Sequence, residues 1–197
     1  MRAKSEDNII KGLANFLDFL GVEKDTNTLG TPRRMVSAWR EMCRGLGKES
    51  KIEIKRSLSV TFPSKYSGMV SQGPLVVYSL CSHHLLPVFY EIFVGYIPKG
   101  RVIGFSKISK AISLIAAKPQ NQEDLTQEIA DTFKSHLKPE GLGIMVRGKH
   151  LCMFCRSNRV HYQDALNITS AVRGSFRKNA ATREEFFRDI SFIRNSK

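Results

Sequence analysis

Apolar residues recur at three- and four-residue steps from Ile9 and Ile10 through Leu13, Phe16 and Leu17 to Leu20, which predicts an amphipathic helix over residues 7–19 stopped at Gly21. A second helix is expected from Thr31, a good N-cap, with Pro32 in the first turn and Met35, Val36 and Trp39 on one face before Gly45. The pattern then changes to alternation. Leu58, Val60 and Phe62 alternate with polar residues over 57–62, and residues 75–80 and 88–97 are rich in β-branched and aromatic side chains, so all three read as strands. Pro98-Lys99-Gly100 signals a turn, residues 101–105 a return strand, and 88–105 together a hairpin. Ile108, Ile112, Ile115 and Ala116 mark one helix; Leu125, Ile129, Phe133 and Leu137 mark another, with Pro119 as the break between them. Strand character returns at 142–146, continues through Cys152 to Val160, and resumes over 168–176. Thr182 is expected to cap a last helix over 183–193, with Glu184 and Glu185 in its first turn.

This order predicts an α+β domain with helices on one face of a mostly antiparallel sheet. Residues 1–50 read as an N-terminal helical section and 51–197 as the main domain, the charged stretch 48–56 being the weakest boundary. A content of 42% hydrophobic and 25% charged residues is that of a globular chain. No run approaches the roughly 20 apolar residues that span a bilayer. The opening Met-Arg-Ala-Lys-Ser-Glu-Asp-Asn has no secretory pattern, so a cytoplasmic, reducing setting is expected. There the four cysteines read as packing, metal-binding or nucleophilic groups rather than disulfides, with Cys43 a small core residue of the second helix. The net charge of +13 is dispersed rather than gathered into one tract, which speaks against a nucleic-acid surface. A phosphate-bearing small molecule drawn into a basic cleft explains part of the excess equally well, and charge alone does not choose between the two.

Cys81-Ser82-His83-His84 ends a predicted strand, and a cysteine and a histidine three positions apart across a turn can reach one metal. Much later His150-Leu151-Cys152-Met153-Phe154-Cys155 supplies a second group of soft donors. With Cys81, His84, Cys152 and Cys155 all bound, zinc would be closed and structural; with Cys155 outside, three protein donors leave one position for water. On a regular strand residues three apart face opposite ways, and Met153-Phe154 is no turn former, which favours the open site. Buried thiols and core histidines with no metal are the third reading.

Cys81-Ser82-His83-His84-Leu85-Leu86-Pro87, Gly95-Tyr96-Ile97-Pro98, Ile103-Gly104-Phe105-Ser106-Lys107, the run from Lys118 to Thr126, and His150-Leu151-Cys152 with Arg156 resemble GTP cyclohydrolase I in order and interval. Thr31-Pro32-Arg33-Arg34 and Thr182-Arg183-Glu184-Glu185-Phe186 look like the flanking motifs of that family. The resemblance implies a tunnelling fold whose subunits pool their sheets into a barrel, in a homo-oligomer, usually a decamer, with active sites between subunits. It implies zinc on Cys81, His84 and Cys152, with Cys155 outside, lowering the pKa of a bound water from about 16 toward about 7 so that it can attack C8 of GTP. His150 would protonate N7 and His83 would be the second catalytic histidine, an imidazole being suited to proton transfer near neutrality. Ser106, beside Lys107, would assist at the ribose. Glu123 would accept the guanine N1 and N2 donors beside Gln122, and reject adenine, whose edge reverses the pattern. Arg34, Lys107, Lys110 and Arg156 would clamp the triphosphate. Loss of formate and ring closure would give 7,8-dihydroneopterin triphosphate.

Five positions depart from the family pattern. Ser82 and Arg147 stand where acidic residues are usual, Ser157 where a glycine follows the clamp arginine, Ser37 in place of a lysine, and Lys110 in place of an arginine, which keeps charge but loses the bidentate fork. These changes are expected to alter the surroundings of the site while leaving metal, proton donor and guanine acceptor in place. The rivals are a divergent paralogue acting on a related purine nucleotide, a non-enzymatic zinc-stapled module binding nucleic acid or protein, and a nitrile-reducing tunnelling-fold enzyme. The last needs a cysteine nucleophile paired with an acid that this chain lacks at the matching place. Cys155→Ala separates the two zinc readings: elemental analysis of the purified variant finds metal retained if the site is open and lost if Cys155 is a fourth ligand.

Overall fold

The computed structural model describes residues 2–156 and 165–195, in two compact units, Met1–Cys43 and Arg44–Lys197. The first unit holds α1 (Arg2–Phe19) and α2 (Thr31–Met42), joined at one point by Arg40, which donates to both carboxylate oxygens of Glu6 at 3.0 and 2.7 Å. Thr31 is the first helical residue of α2 rather than its N-cap. The cap position is Gly30, and the Thr31 hydroxyl instead accepts from the Arg34 guanidinium at 3.0 Å.

The second unit runs through a 3-10 turn (Arg44–Leu46), α3 (Lys48–Ser59), β1 (Thr61–Pro63), β2 (Val70–Cys81), β3 (Pro87–Ile97), β4 (Arg101–Ile103), α4 (Phe105–Ala116) and β5 (Pro119–Gln120). It continues with α5 (Gln122–Leu137), β6 (Gly141–His150), α6 (Leu151–Phe154), β7 (Asn167–Gly174), α7 (Ser175–Lys178) and α8 (Ala180–Asn195). The main sheet has the order β5-β2-β3-β6-β7, antiparallel except for the short parallel pair β5 with β2.

Side chains alternate across this sheet, as the strand pleat requires. Val88, Tyr90, Ile92 and Val94 of β3 face α4 and α5 and meet Ile108, Ile112, Leu125, Ile129 and Phe133, all at most 1% exposed. Phe93 points the other way, into a second cluster with Phe176, Phe186 and Ile190. The helices are therefore not confined to one face: α8 covers part of the second. Its Phe186 sits over Gly95 and Gly143, cross-strand partners at which an added Cβ would come within 2.4 and 2.8 Å of the ring. Two facing glycines make the notch that admits it.

Local differences from the sequence-based expectation have physical causes. Of residues 57–62 only Thr61 and Phe62 are strand, at the start of β1; Ile54 and Leu58, four apart among Lys and Glu, extend α3 to Ser59 and bury Leu58 against the core. The return strand stops at Ile103 and pairs with β1, so residues 88–105 are no hairpin; Phe105 already begins α4. The chain does not continue as strand through Cys152, since residues 151–154 form one helical turn, and the rest of that expectation, over 157–160, lies outside the described residues. Strand β7 ends at Gly174, whose φ of +61° turns the chain into α7. The last helix starts before Thr182; Asn179 caps it, its side-chain oxygen accepting from the N–H groups of Ala181 and Thr182 at 2.9 and 3.4 Å.

Register sets up the rest. Ser79 of β2, Val88 of β3 and His150 of β6 lie in one row across the sheet, so the chain beyond Ser79 and the chain beyond His150 leave the same end side by side. Removing the ring that locks α8 down, in Phe186→Ala, should cost about 3–5 kcal/mol of stability. Urea unfolding followed by circular dichroism reads the loss, and an unchanged midpoint contradicts this packing.

Candidate metal centre and its cleft

Two residues past that row, β2 delivers the Cys81 thiol, and two residues past it, α6 delivers Cys152. Between β2 and β3 the chain turns through residues 82–86, closed by Leu85 N–H to Cys81 O at 2.8 Å and Cys81 N–H to Leu86 O at 2.9 Å. Leu85 adopts φ +53°, a left-handed conformation that costs a non-glycine residue on the order of 1 kcal/mol. That bend returns His84 toward Cys81, whose Sγ lies 3.6 Å from His84 Nδ1. Ser82 pins the turn to α5, its hydroxyl donating to the Asn121 side-chain oxygen.

Among the described residues the donor atoms of Cys81, His84 and Cys152 form the one group of potential metal ligands, all within 4.8 Å of one another. Tetrahedral zinc, with bonds of about 2.3 Å to sulfur and about 2.0–2.1 Å to nitrogen, holds such donors about 3.6 Å apart, which matches the Cys81–His84 separation. Burial, and then the adjacent Cys81 thiol, push the Cys152 thiol above its ordinary value, so Cys152 keeps its proton until a cation replaces it. The Tyr90 hydroxyl is fully buried without a hydrogen-bond partner, and burial together with Cys81, Glu123 and Cys152 pushes its ionisation far up. A donor left free beside two sulfurs suits their becoming thiolates. The donor set thus fits a soft divalent ion. Cys155 is exposed and outside the group. The strand argument against Cys155 does not apply to a segment that is a helical turn, in which residues three apart share a side. It is position, not alternation, that leaves this thiol out.

The centre stands at the rim of a cleft of about 740 Å³, within the size range of small-molecule sites. His83, Gln122, Glu123 and His150 line it. His83 Nδ1 lies 3.9 Å from Cys81 Sγ. Burial lowers the His150 pKa and the Glu123 carboxylate opposes that shift, so the two groups feel each other across the cleft. Glu123 is exposed in the first turn of α5, while Gln122, one residue earlier, is buried with its amide oxygen 2.9 Å from His150 Nε2. Arg156 reaches the rim, its guanidinium 2.8 Å from His84 Nε2, which can accept only while no metal is held on Nδ1, since a metal there leaves the ring proton on Nε2.

Other sequence-derived candidates lie elsewhere. Gln72, near the start of β2, donates to Phe105 O at 3.3 Å, which places Ser106 and Lys107 beside the opposite end of a strand from Cys81, roughly 30 Å away. Lys110 pairs with Glu53 of α3 at 2.5 Å. Neither these three nor any other residue of α4 lines the cleft. Arg34 lies in the first unit, bonded to Asn27 O and Thr31, with Ser37 exposed on the same helix. Arg147 faces away from the cleft, pairing with Glu91 at 2.8 Å on the other side of the sheet, so this departure does not alter the centre's surroundings. Ser157 lies outside the described residues. Sequence reasoning missed Tyr90, Thr126, Gly148 and Thr169, which surround Gln122 and His150. The available signal was a polar group at inward-facing positions, such as Thr126 among Leu125, Ile129 and Phe133.

An α+β domain that converges three soft donors, two further histidines and a carboxylate on one cleft has the donor set of a metal centre beside a space of small-molecule size. A family model described as GTP cyclohydrolase I matches residues 9–191. The chain is 34% identical over 189 residues to GTP cyclohydrolase 1 of Clostridium perfringens, covering 94% of this chain and 98% of that relative. It is 37% identical over 192 residues to GTP cyclohydrolase 1 of Aquifex aeolicus, covering 97% of this chain and all of that relative (100%). The chain belongs to the GTP cyclohydrolase I family. The solved apo archaeosine synthase QueF-Like aligns with 56% of this chain and 96% of its own at 16% identity and a TM-score of 0.42, too slight a likeness to carry an argument.

Cys152→Ser should lower bound zinc from about one per chain to near zero, because two protein donors no longer close the site. Elemental analysis after gel filtration measures it; full retention contradicts the proposed ligand set.

Proposed function

We propose that this chain carries the activity for which its family is named: hydrolytic opening of the guanine imidazole ring of GTP, release of formate, and rearrangement to 7,8-dihydroneopterin triphosphate, in the cytoplasm and in service of pterin and folate synthesis. The observation that carries this reading is the convergence of Cys81, His84 and Cys152 with His150 and Glu123 on one cleft, in a chain matching the family from residue 9 to residue 191.

In this reading Cys81, His84 and Cys152 hold zinc, which when bound supplies the Lewis acidity that brings a water molecule's pKa down to about 7. His150 delivers a proton to N7 of the base, drawing electrons from C8, and His83 serves as the second proton carrier beside it. Glu123, an open carboxylate at the cleft wall, accepts the guanine N1–H and N2–H, which adenine cannot offer in that order. Arg34, Lys107, Lys110 and Arg156 take the triphosphate and Ser106 assists at the ribose. We assign the catalytic domain to residues 51–197 and the helical section to 1–50.

Ser106 and Lys107 are too far from Cys81 to serve the same chain's cleft, and Lys110 does not line it, so in this reading they serve that of a neighbouring copy. Two features support a homo-oligomer, proposed to be a decamer with pooled sheets. Among the described residues strand β7 has no partner on its outer side, and Val76, Tyr78 and Ile168 are 57%, 59% and 61% exposed on the sheet face away from α4 and α5.

Incubating the zinc-loaded protein with GTP should release formate and yield a pterin that fluoresces after oxidation. Ser106→Ala and His150→Ala chains, each inactive, should regain activity when co-assembled, because a mixed oligomer contains intact clefts. No formate from the unsubstituted protein would contradict the activity, and no rescue on co-assembly would contradict the shared site.

A further inference from the structure

Gln122 is 3% exposed, and its side-chain amide is held on every side. The amide nitrogen faces three acceptors: Val146 O at 3.2 Å, Asn167 O at 3.0 Å and Thr169 Oγ1 at 3.2 Å. Turning the amide over would set its oxygen against two backbone carbonyls, and the Thr169 hydroxyl could donate to it only by giving up Thr126, so the orientation is fixed. The oxygen must then face His150 Nε2, 2.9 Å away. An amide oxygen only accepts, so His150 carries a proton on Nε2.

The same logic runs round a closed ring of hydrogen bonds. The Thr169 hydroxyl accepts from the Gln122 amide and gives its proton to Thr126 Oγ1 at 2.6 Å, and Thr126 donates in turn to the main-chain oxygen of Gln122 at 2.7 Å. Each hydroxyl proton has one acceptor. Gly148 leaves the space: a Cβ there would stand 2.3 Å from the Gln122 amide oxygen and 2.7 Å from the Tyr90 ring. Tyr90 closes the other side of His150, edge-on, with ring centroids 5.9 Å apart.

We propose that Gln122, set by Thr126 and Thr169, is a positioning residue that commits His150 to the Nε2–H form, so that Nδ1 is the atom that exchanges a proton with the bound purine nucleotide. Charged His150 gives the Nδ1 proton to the base and keeps the Nε2 proton on Gln122, leaving a neutral ring with its lone pair on Nδ1. This rests on the cleft holding a purine nucleotide, as proposed above, but assigns Gln122 to the histidine rather than to the base.

Two measurements on the full-length, zinc-loaded protein test it. In the first, nitrogen NMR of protein labelled at histidine, with the His150 signal identified by its loss in His150→Gln, should report the Nε2–H form, and Gln122→Met should abolish that preference. An Nδ1–H form in the unsubstituted chain overturns the proposal whether or not GTP is turned over. In the second, Thr169→Val should lower kcat about 10- to 100-fold with KM for GTP and zinc content unchanged, and Thr169→Ser should restore the rate. A raised KM with unchanged kcat would overturn it by putting Gln122 on the substrate, and equal rates in the valine and serine variants would overturn the hydroxyl ring. Absence of turnover in the unsubstituted protein would instead count against the GTP reading, leaving the NMR result to decide the tautomer.

Discussion

Two thiols and an imidazole from segments far apart in sequence can share one ion only if a sheet carries both segments to the same edge. Here β3 does this by pairing Val88 with Ser79 on one side and with His150 on the other. A slip of one residue on either side of β3 would turn the displaced strand's side chains to the opposite face and part the donors. The displaced strand would turn its own buried row, Val77 and Cys81 on β2 or Leu142, Ile144 and Val146 on β6, out of the core, and that cost holds the register. Core packing and metal geometry are therefore one constraint seen at two ends of a strand.

The cleft inherits its chemistry from that constraint. His150 is in the register row, so the packing that fixes the sheet also fixes its ring between Tyr90 and Gln122. The first turn of α5 supplies two neighbours with opposite fates: Gln122 turns inward and is consumed by hydrogen bonds, while Glu123 turns outward and stays open at the cleft wall. Adjacent helix positions lie about 100° apart, so one can build the scaffold while the next meets the ligand.

Much of this was legible in the sequence, for identifiable reasons. The stripes Ile108–Ile112–Ile115 and Leu125–Ile129–Phe133 are long and unbroken, and both are helices at the core. The donor set stood out because Cys and His are few and their spacing is distinctive. What failed was local. The alternation over 57–62 gave way to the longer helical run as far as Ser59 and held only at Thr61 and Phe62, and the segment around Cys152 reads as strand although one turn of helix aims its thiol. The hydrogen-bond ring through Thr126 and Thr169 joins residues on α5 and β7 that no spacing rule connects. The distance of Ser106 from the donor set was not visible in a linear reading, because it depends on which end of β2 meets α4.

Zinc K-edge X-ray absorption of the purified protein tests the centre most directly. The account predicts two sulfur neighbours, one imidazole nitrogen and one further light atom, which leaves a position open to solvent. Three sulfurs would place Cys155 or another thiol in that position and contradict the reading of this centre as an open, reactive one.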